Sequence, residues 1–137
     1  MPIWAGARAR RASRSYTGWM LIRSVDDVIG TDRDVHGGGW KSRRVFLSDD
    51  ELGYSVHETT VAAGTQLRFT YRHHRETVYC VQGEGSIEDV ATGHVVPLAP
   101  GGMYSAGVGD EHVLTCNTET KFLCIFTPPL IGTEEAN

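Results

Sequence analysis

Eight short segments rich in apolar and β-branched residues recur at close intervals between residues 43 and 127, and they constrain the fold more than any other feature. Each is bounded by turn chemistry, such as SDDELG after the first and AAGT after the second. In the segment 67–72 apolar and polar residues alternate, which predicts one buried and one exposed face. The predicted strands are Arg43–Leu47, Gly53–Val61, Gln66–Arg72, Thr77–Val81, Ser86–Val90, His94–Leu98, His112–Thr115 and Phe122–Thr127.

This pattern predicts an all-β fold, a single jelly-roll barrel whose interior can hold one small ligand. The segment Ser24–Asp27 has the form of a capping box and, with Gly30 after it, predicts one short N-terminal helix. The polar residues 31–40 are predicted to form a loop. A chain of 137 residues suits a single core. We expect residues 20–137 to form one domain, and residues 1–19 to be a disordered basic extension or a leader upstream of a start at Met20.

Charge and cysteine content exclude several classes of partner. Residues 1–19 carry four arginines and no acid, whereas the rest of the chain has nine Lys and Arg against seventeen Asp and Glu, a formal balance of −8. So acidic a domain is a poor ligand for phosphate backbones, and no apolar run is long enough for a membrane span. Cys80, Cys116 and Cys124 lack CxxC spacing, which predicts a reduced cytoplasmic protein without disulfides.

The segment YRHHRETVYCVQGEG (71–85) contains the first candidate for chemistry. Neighbouring side chains of an extended strand point to opposite faces, so His73 and His74 are not expected to bind one ion, and we interpret them as surface or supporting residues. Glu76 stands seven residues before Gly83, and a PGG segment (100–102) follows a second turn. This arrangement resembles the double motif of the cupin superfamily, although the histidines of ordinary metal cupins are missing.

Glu76, Tyr104 and His112 are chemically suited to hold a first-row divalent metal through a carboxylate, a phenolate and an imidazole. Each also has an ordinary explanation. A strand tyrosine is usually a core residue, a histidine is usually hydrogen-bonded, and the glutamate has Arg72 and Arg75 nearby for an ion pair. Spacing alone leaves both interpretations open.

Five blocks of the sequence between Met20 and about Glu134 form a distinctive set: MLIRSVDDVIGTDRDVHGGGWKSRR (20–44), GYSVHETTVAAGT (53–65), YRHHRETVYCVQGEGSIE (71–88), APGGMYSAGVGDEHVL (99–114) and CIFTPPLIG (124–132). Through these blocks the sequence resembles the ectoine synthases, a family of cupin enzymes. The combination is specific, because ordinary cupins share neither the opening GTDRDV with its following GW and SRR nor the closing CIFTPPLIG.

The resemblance implies a cupin-type barrel, the ring-closing reaction of the family and a set of site residues. The α-amine of N4-acetyl-L-2,4-diaminobutyrate would attack its own acetamide carbonyl and lose water to give ectoine. A homodimer is implied as well. Glu134 would be a catalytic carboxylate on a C-terminal segment that covers the barrel mouth. Residues implied to ligate Fe(II) are Glu76, Tyr104 and His112; residues implied to bind substrate are Trp40, Ser42, Arg44, Thr59, Tyr71, Cys124 and Phe126, with Tyr71 also catalytic.

The end of the sequence departs from the family pattern. A histidine is expected two residues after Glu134, but Ala136 stands there and the sequence ends at Asn137. We therefore expect metal binding to survive better than turnover, since a shortened lid excludes water less well. Two alternatives remain open: an iron-dependent cupin oxygenase, and a non-catalytic cupin that binds a small zwitterion. Oxygen uptake would single out the first, and lack of turnover would favour the second.

Overall fold

The computed structural model describes residues 20–134, in which ten β-strands form two antiparallel sheets. The six-stranded sheet has the order β1-β2-β3-β10-β5-β8, and the four-stranded sheet has the order β4-β9-β6-β7. The predicted all-β fold is confirmed. The strands are β1 (Asp34–Gly37), β2 (Trp40–Phe46), β3 (Ser55–Val61), β4 (Gln66–Phe69), β5 (Arg75–Gln82), β6 (Gly85–Asp89), β7 (His94–Leu98), β8 (Met103–Ala106), β9 (His112–Cys116) and β10 (Thr120–Thr127).

All eight predicted strands occur, His94–Leu98 with the predicted bounds and the other seven with at least one end shifted, and the structure adds β1 and β8. The prediction of a loop over residues 31–40 is wrong, because β1 pairs with β2 in a hairpin in which Asp34 lies opposite Arg43. Gly39 has a φ of 80°, which suits the tight turn between these strands. Gly37 allows the Trp40 ring to lie directly against the backbone, where a Cβ would overlap the ring.

The predicted strand over residues 66–72 ends early, at Phe69. Its last ladder pair joins Phe69 to His112 of β9, so Tyr71, His73 and His74 lie in the connection to β5. The argument that neighbouring strand residues face opposite ways therefore does not apply to His73 and His74.

The predicted N-terminal helix is present as a 3-10 helix, Val25–Asp27, and the backbone N–H of Ser24 donates to Asp27 Oδ2 at 2.9 Å. A second 3-10 helix, Ser48–Asp50, lies in the predicted SDDELG turn. Arg23 holds it through a bidentate salt bridge to Asp50, with Nη1 and Nη2 at 2.7 and 2.6 Å from the carboxylate oxygens.

Inward-facing side chains of both sheets form one hydrophobic core, including Val61 and Phe122 from one sheet and Phe69 and Leu114 from the other. Alternation along the strands directs these residues inward. All three cysteines are buried and unpaired, as predicted. Within residues 20–134, no helix is long and apolar enough to cross a membrane. The predicted extension at 1–19, and the position of Ala136, lie outside the described residues.

Candidate metal and substrate site

A cavity of about 270 Å³ lies between the two sheets and collects most of the predicted site residues. Its volume is near the lower end of the range for small-molecule sites, which suits a small ligand. His112 does not line the cavity but packs behind Tyr104, with ring centroids 5.7 Å apart. The other ten predicted residues all line it: Trp40, Ser42, Arg44, Thr59, Tyr71, Glu76, Tyr104, Cys124, Phe126 and Glu134.

Strand alternation and register explain how residues distant in sequence converge. Trp40, Ser42 and Arg44 occupy alternate positions of β2 and therefore share one face. In the ladders, Ser42 lies opposite Thr59 of β3, and Phe126 of β10 lies opposite Glu76 of β5. Regular pairing of four neighbouring strands thus builds the wall of the cavity.

Glu76 is a buried carboxylate with 6% exposure. The hydroxyl of Tyr71 donates to Glu76 Oε1 at 2.8 Å, and neither Arg72 nor Arg75 forms the expected ion pair with this carboxylate. Burial raises the pKa of Glu76 to about 7, although hydrogen bonds from Tyr71 and Cys124 oppose the shift. Burial, together with the Glu76 charge, also raises the pKa values of Tyr71 and Tyr104. Both phenols therefore keep their protons unless a cation lies beside them.

His112 is also buried, with 4% exposure, and its two ring nitrogens differ. Nδ1 lies 2.8 Å from the carbonyl oxygen of Asp110, which can only accept, so Nδ1 carries the proton when the ring is neutral. Nε2 then presents a lone pair, and it has no hydrogen-bonding partner among the described residues. A buried acceptor without a partner costs free energy unless a ligand completes it.

We call Glu76, Tyr104 and His112 the Glu76 cluster, and its chemistry fits a first-row divalent metal. The unpartnered Nε2 of His112 is an imidazole nitrogen whose ring is held by a carbonyl at the other nitrogen, as is usual for metal-ligating histidines. Within residues 20–134, no three of His, Cys, Asp and Glu are grouped to hold a metal. The predicted site therefore depends on Tyr104 as its third ligand, with its proton displaced by the charge of the ion.

A second polar group surrounds Arg44, which has only 2% exposure. Its Nη1 donates to the carbonyl oxygen of Gly132 at 2.7 Å, and its Nε donates to Ser42 Oγ at 3.4 Å. Glu134 accepts the backbone N–H groups of Ile131 and Gly132, each at 2.9 Å. Burial raises the pKa of Glu134, but these amides and the Arg44 charge outweigh it, and the net pKa is below the usual value.

His57 completes this second group, and the sequence interpretation missed it. With 1% exposure, it lies between Ser42 Oγ, 3.5 Å from Nδ1, and Ser55 Oγ, 2.9 Å from Nε2. Burial and the Arg44 charge lower the pKa of His57 to about 3, so the ring is neutral. The available signal was its place two residues before Thr59 on the same face of β3. We call Arg44, Ser42, His57 and Glu134 the Arg44 network.

His73 and His74 both line the cavity. His74 Nδ1 lies 2.8 Å from the carbonyl oxygen of Pro128, and the His74 ring packs edge-on against Phe126. His74 therefore supports the start of the C-terminal segment, in agreement with the predicted supporting position.

The sequence and structure were compared with known proteins. A family model described as ectoine synthase matches residues 20–137. L-ectoine synthase of Desulfatibacillum aliphaticivorans is 45% identical over 118 residues, which cover 85% of this chain and 91% of the relative. The corresponding enzyme of Desulfosudis oleivorans is 47% identical over 116 residues, covering 84% and 90%.

Solved structures also match this chain. The crystal structure of ectoine synthase from P. lautus superposes with a TM-score of 0.80 at 36% identity, covering 84% of this chain and 83% of that one. An RmlC-like cupin from Shewanella frigidimarina matches with a TM-score of 0.55 at 20% identity, over 69% of this chain and 81% of the other. The second likeness shows the cupin fold alone.

Proposed function

The chain belongs to the ectoine synthase family of lyases, and we propose that it forms ectoine from N4-acetyl-L-2,4-diaminobutyrate with Fe(II) held by Glu76, Tyr104 and His112. In this reaction the α-amine forms a bond to the acetamide carbon, and the acetyl oxygen leaves as water. The observation that carries the proposal is the unpartnered Nε2 of buried His112, whose ring packs behind Tyr104, while Tyr104 and Glu76 line a small cavity.

The first task of the site is to activate the acetamide carbonyl of the substrate, because an amide carbon is a poor electrophile. When bound at the Glu76 cluster, Fe(II) supplies Lewis acidity toward the acetyl oxygen. Tyr71 supports this role by donating its hydroxyl to Glu76 Oε1, which fixes the orientation of the carboxylate. The same hydrogen bond favours the charged form of Glu76, which is the form that binds a cation.

The second task is to hold a flexible diamino acid with its amine near the carbonyl carbon. Holding the two reacting groups in position lowers the activation free energy by about 7–11 kcal/mol in the most favourable intramolecular reactions. Trp40 and Phe126 line the cavity and offer ring faces to the cationic amidine product. Arg44 offers its charge to the substrate carboxylate. Thr59 and Cys124, joined by a contact of 3.6 Å, shape the wall between them.

The third task is proton transfer from the amine. Glu134 is the carboxylate proposed for it, and its lowered pKa keeps it ionised near neutral pH. An ionised carboxylate pairs with the substrate ammonium and orients it, but a lowered pKa also makes a weak base. We therefore assign Glu134 the orientation of the amine first and the acceptance of its proton second.

Turnover of the acetylated substrate tests this function. Full-length protein loaded with Fe(II) is incubated with N4-acetyl-L-2,4-diaminobutyrate, and ectoine is quantified by chromatography while an electrode follows dissolved oxygen. We expect ectoine to form without oxygen consumption, and to stop when a chelator is added. Oxygen consumption coupled to turnover would support the oxygenase alternative, and tight binding without turnover would support the non-catalytic one.

We further propose that the enzyme is a homodimer, as the resemblance implies, and that a second copy covers an apolar surface of the six-stranded sheet. Exposed Met103, Tyr79 and Leu123 lie side by side on three neighbouring strands, and Ile125 extends the row. We call these four residues the outer apolar face. Replacing Tyr79 and Leu123 by lysine should give a monomer in light scattering, whereas lysines at exposed Val95 and Val108 should leave the mass unchanged.

We place the enzyme in the cytoplasm, in line with its three free cysteines, because reduced thiols persist in reducing compartments. Fractionation of cells that produce the native chain tests this placement. Recovery outside the cytoplasmic fraction would contradict it.

A further inference from the structure

His57 is a buried polar side chain at the cavity, with 1% exposure, and it belongs to neither the proposed metal ligands nor the predicted substrate-binding residues. Its two ring nitrogens connect two serines on neighbouring strands, Ser42 of β2 and Ser55 of β3. Ser55 is fully buried, and its Oγ accepts the backbone N–H of Leu130 at 3.0 Å. A chain of hydrogen bonds thus runs from the C-terminal segment to the wall of the cavity.

The buried end of this chain decides its direction. The Oγ of Ser55 already accepts one proton from Leu130, and its own hydroxyl proton needs an acceptor. Among the described residues, His57 Nε2 is the other atom within hydrogen-bonding distance of this Oγ. If Nε2 carried a proton, the Ser55 hydroxyl proton would be buried without an acceptor, at a cost comparable to a lost hydrogen bond. Ser55 therefore donates, and Nε2 accepts.

The consequence passes through the ring to Ser42. A neutral imidazole whose Nε2 accepts carries its proton on Nδ1, and the lowered pKa of His57 keeps the ring neutral. Nδ1–H then points to Ser42 Oγ at 3.5 Å, which also accepts Arg44 Nε–H at 3.4 Å. Both lone pairs of Ser42 are occupied in this way, so its hydroxyl proton is left to donate elsewhere. Ser42 lines the cavity, where a ligand can accept that proton.

We propose that His57 is a positioning residue that fixes the polarity of this hydrogen-bond chain, so that the Ser42 hydroxyl donates to a carboxylate oxygen of the bound ligand. Ser42 and Arg44 lie two residues apart on the same face of β2, and a donor beside a guanidinium forms a carboxylate site. With the reverse polarity, Ser42 would present a lone pair and would prefer an ammonium group. The identification of the ligand as an amino acid substrate rests on the proposed function.

The protonation of the ring is measurable without any ligand or activity. Nitrogen-15 NMR of the full chain distinguishes a protonated from an unprotonated ring nitrogen, and the spectrum of His57→Asn identifies the signals of His57 among the six histidines. We expect Nδ1 to be protonated and Nε2 to be an acceptor near neutral pH. A proton on Nε2, or on both nitrogens, would overturn the inference whatever reaction the protein catalyses.

Steady-state kinetics with N4-acetyl-L-2,4-diaminobutyrate tests the effect on the ligand. His57→Leu should raise KM about tenfold with a smaller change in kcat, because a hydrogen bond to a charged group is lost. His57→Asn should recover part of this loss, since an amide N–H can still donate to Ser42. Circular dichroism melting establishes that both variants are folded.

The double variant separates positioning from a general structural role. If His57 acts through Ser42, adding His57→Leu to Ser42→Ala should raise KM little beyond Ser42→Ala alone. Independent, multiplying effects of the two substitutions would overturn the inference. Absence of turnover by the unsubstituted protein would overturn the proposed function instead, and the ring nitrogens would still report the polarity of the chain.

Discussion

The two polar groups of the cavity differ in how far their hydrogen bonds are satisfied. In the Arg44 network, Arg44 Nε and Nη1, both His57 nitrogens and both Glu134 oxygens have partners within the protein. In the Glu76 cluster, His112 Nε2 has none among the described residues. The Ser42 hydroxyl proton aside, the first group finds its partners within the protein, whereas the second leaves a buried ring nitrogen without one.

This difference assigns different tasks to two sets of equally buried residues. A satisfied network holds its members in one arrangement, and it acts on a ligand through position and charge. A buried polar atom without a hydrogen-bonding partner lowers the stability of the fold until a bound group becomes its partner. Burial alone does not distinguish the two, since Arg44 and His112 are exposed to nearly the same small extent.

The largest expected effect comes from removing members of the Glu76 cluster. Glu76→Ala, Tyr104→Ala and His112→Ala should each lower the iron content sharply and reduce turnover by about 100-fold or more, because each removes one ligand. Metal analysis of purified protein and the ectoine assay measure both quantities. Glu84→Gln and His94→Ala, at exposed positions, are the matched controls. If all three cluster variants keep full iron, the assigned site is wrong.

Occupying the cluster should stabilise the fold. A ligand that binds only the folded state adds about 2.7 kcal/mol to the free energy of unfolding at 100 times its Kd. Urea unfolding with and without Fe(II), under anaerobic conditions, measures this gain. We expect the gain to persist in Ser42→Ala, which alters only the Arg44 network, and to disappear in His112→Ala. An equal gain in both variants would show that iron stabilises the fold from another place.

Much of this arrangement was predictable from the sequence because strand alternation is a local property. The strands β2 to β7, β9 and β10 lie where turn residues bound β-branched runs, although β2 begins at Trp40, ahead of the predicted start at Arg43. The resemblance to the family supplied candidate ligands that are separated in sequence, such as Glu76 and His112, which spacing alone could not select.

The features that were missed depend on contacts distant in sequence. The strand β1 (DVHG) is short, polar and contains glycine, so only its pairing with β2 reveals it. The end of β4 at Phe69 is set by the ladder with β9, and this freed His73 and His74 from strand geometry. His57 was passed over because its role depends on Ser55 and Leu130, the latter 73 residues further along the sequence.

The Arg44 network should make the fold less stable at low pH, through the buried ring of His57. His57 has a folded pKa of about 3 against about 6.5 in unfolded chains, so below pH 6.5 the unfolded state binds a proton that the folded state refuses. Stability therefore falls as the pH drops from 6.5 toward 3, and this single group accounts for about 2 kcal/mol at pH 5. Urea unfolding at pH 7.5 and pH 5 measures the loss.

The matched comparison for this pH effect is His57→Asn against His94→Asn, which removes an exposed histidine. His57→Asn should lower stability at pH 7.5 and flatten its dependence on pH. If the loss between pH 7.5 and pH 5 is as large in His57→Asn as in the unsubstituted protein, the acid sensitivity comes from another group.

The smallest expected effect concerns Tyr71, whose hydroxyl is a hydrogen-bonding partner of Glu76. Tyr71→Phe removes the donor 2.8 Å from Glu76 Oε1. The cost should be only about 1 kcal/mol of unfolding free energy, because Glu76, with a pKa of about 7, can take up a proton and no longer needs the donor. Tyr54→Phe, at an exposed position before β3, is the matched control. A larger loss, equal to that of Glu76→Ala, would mean that Glu76 stays charged without metal, and that the Glu76 cluster is as complete by itself as the Arg44 network.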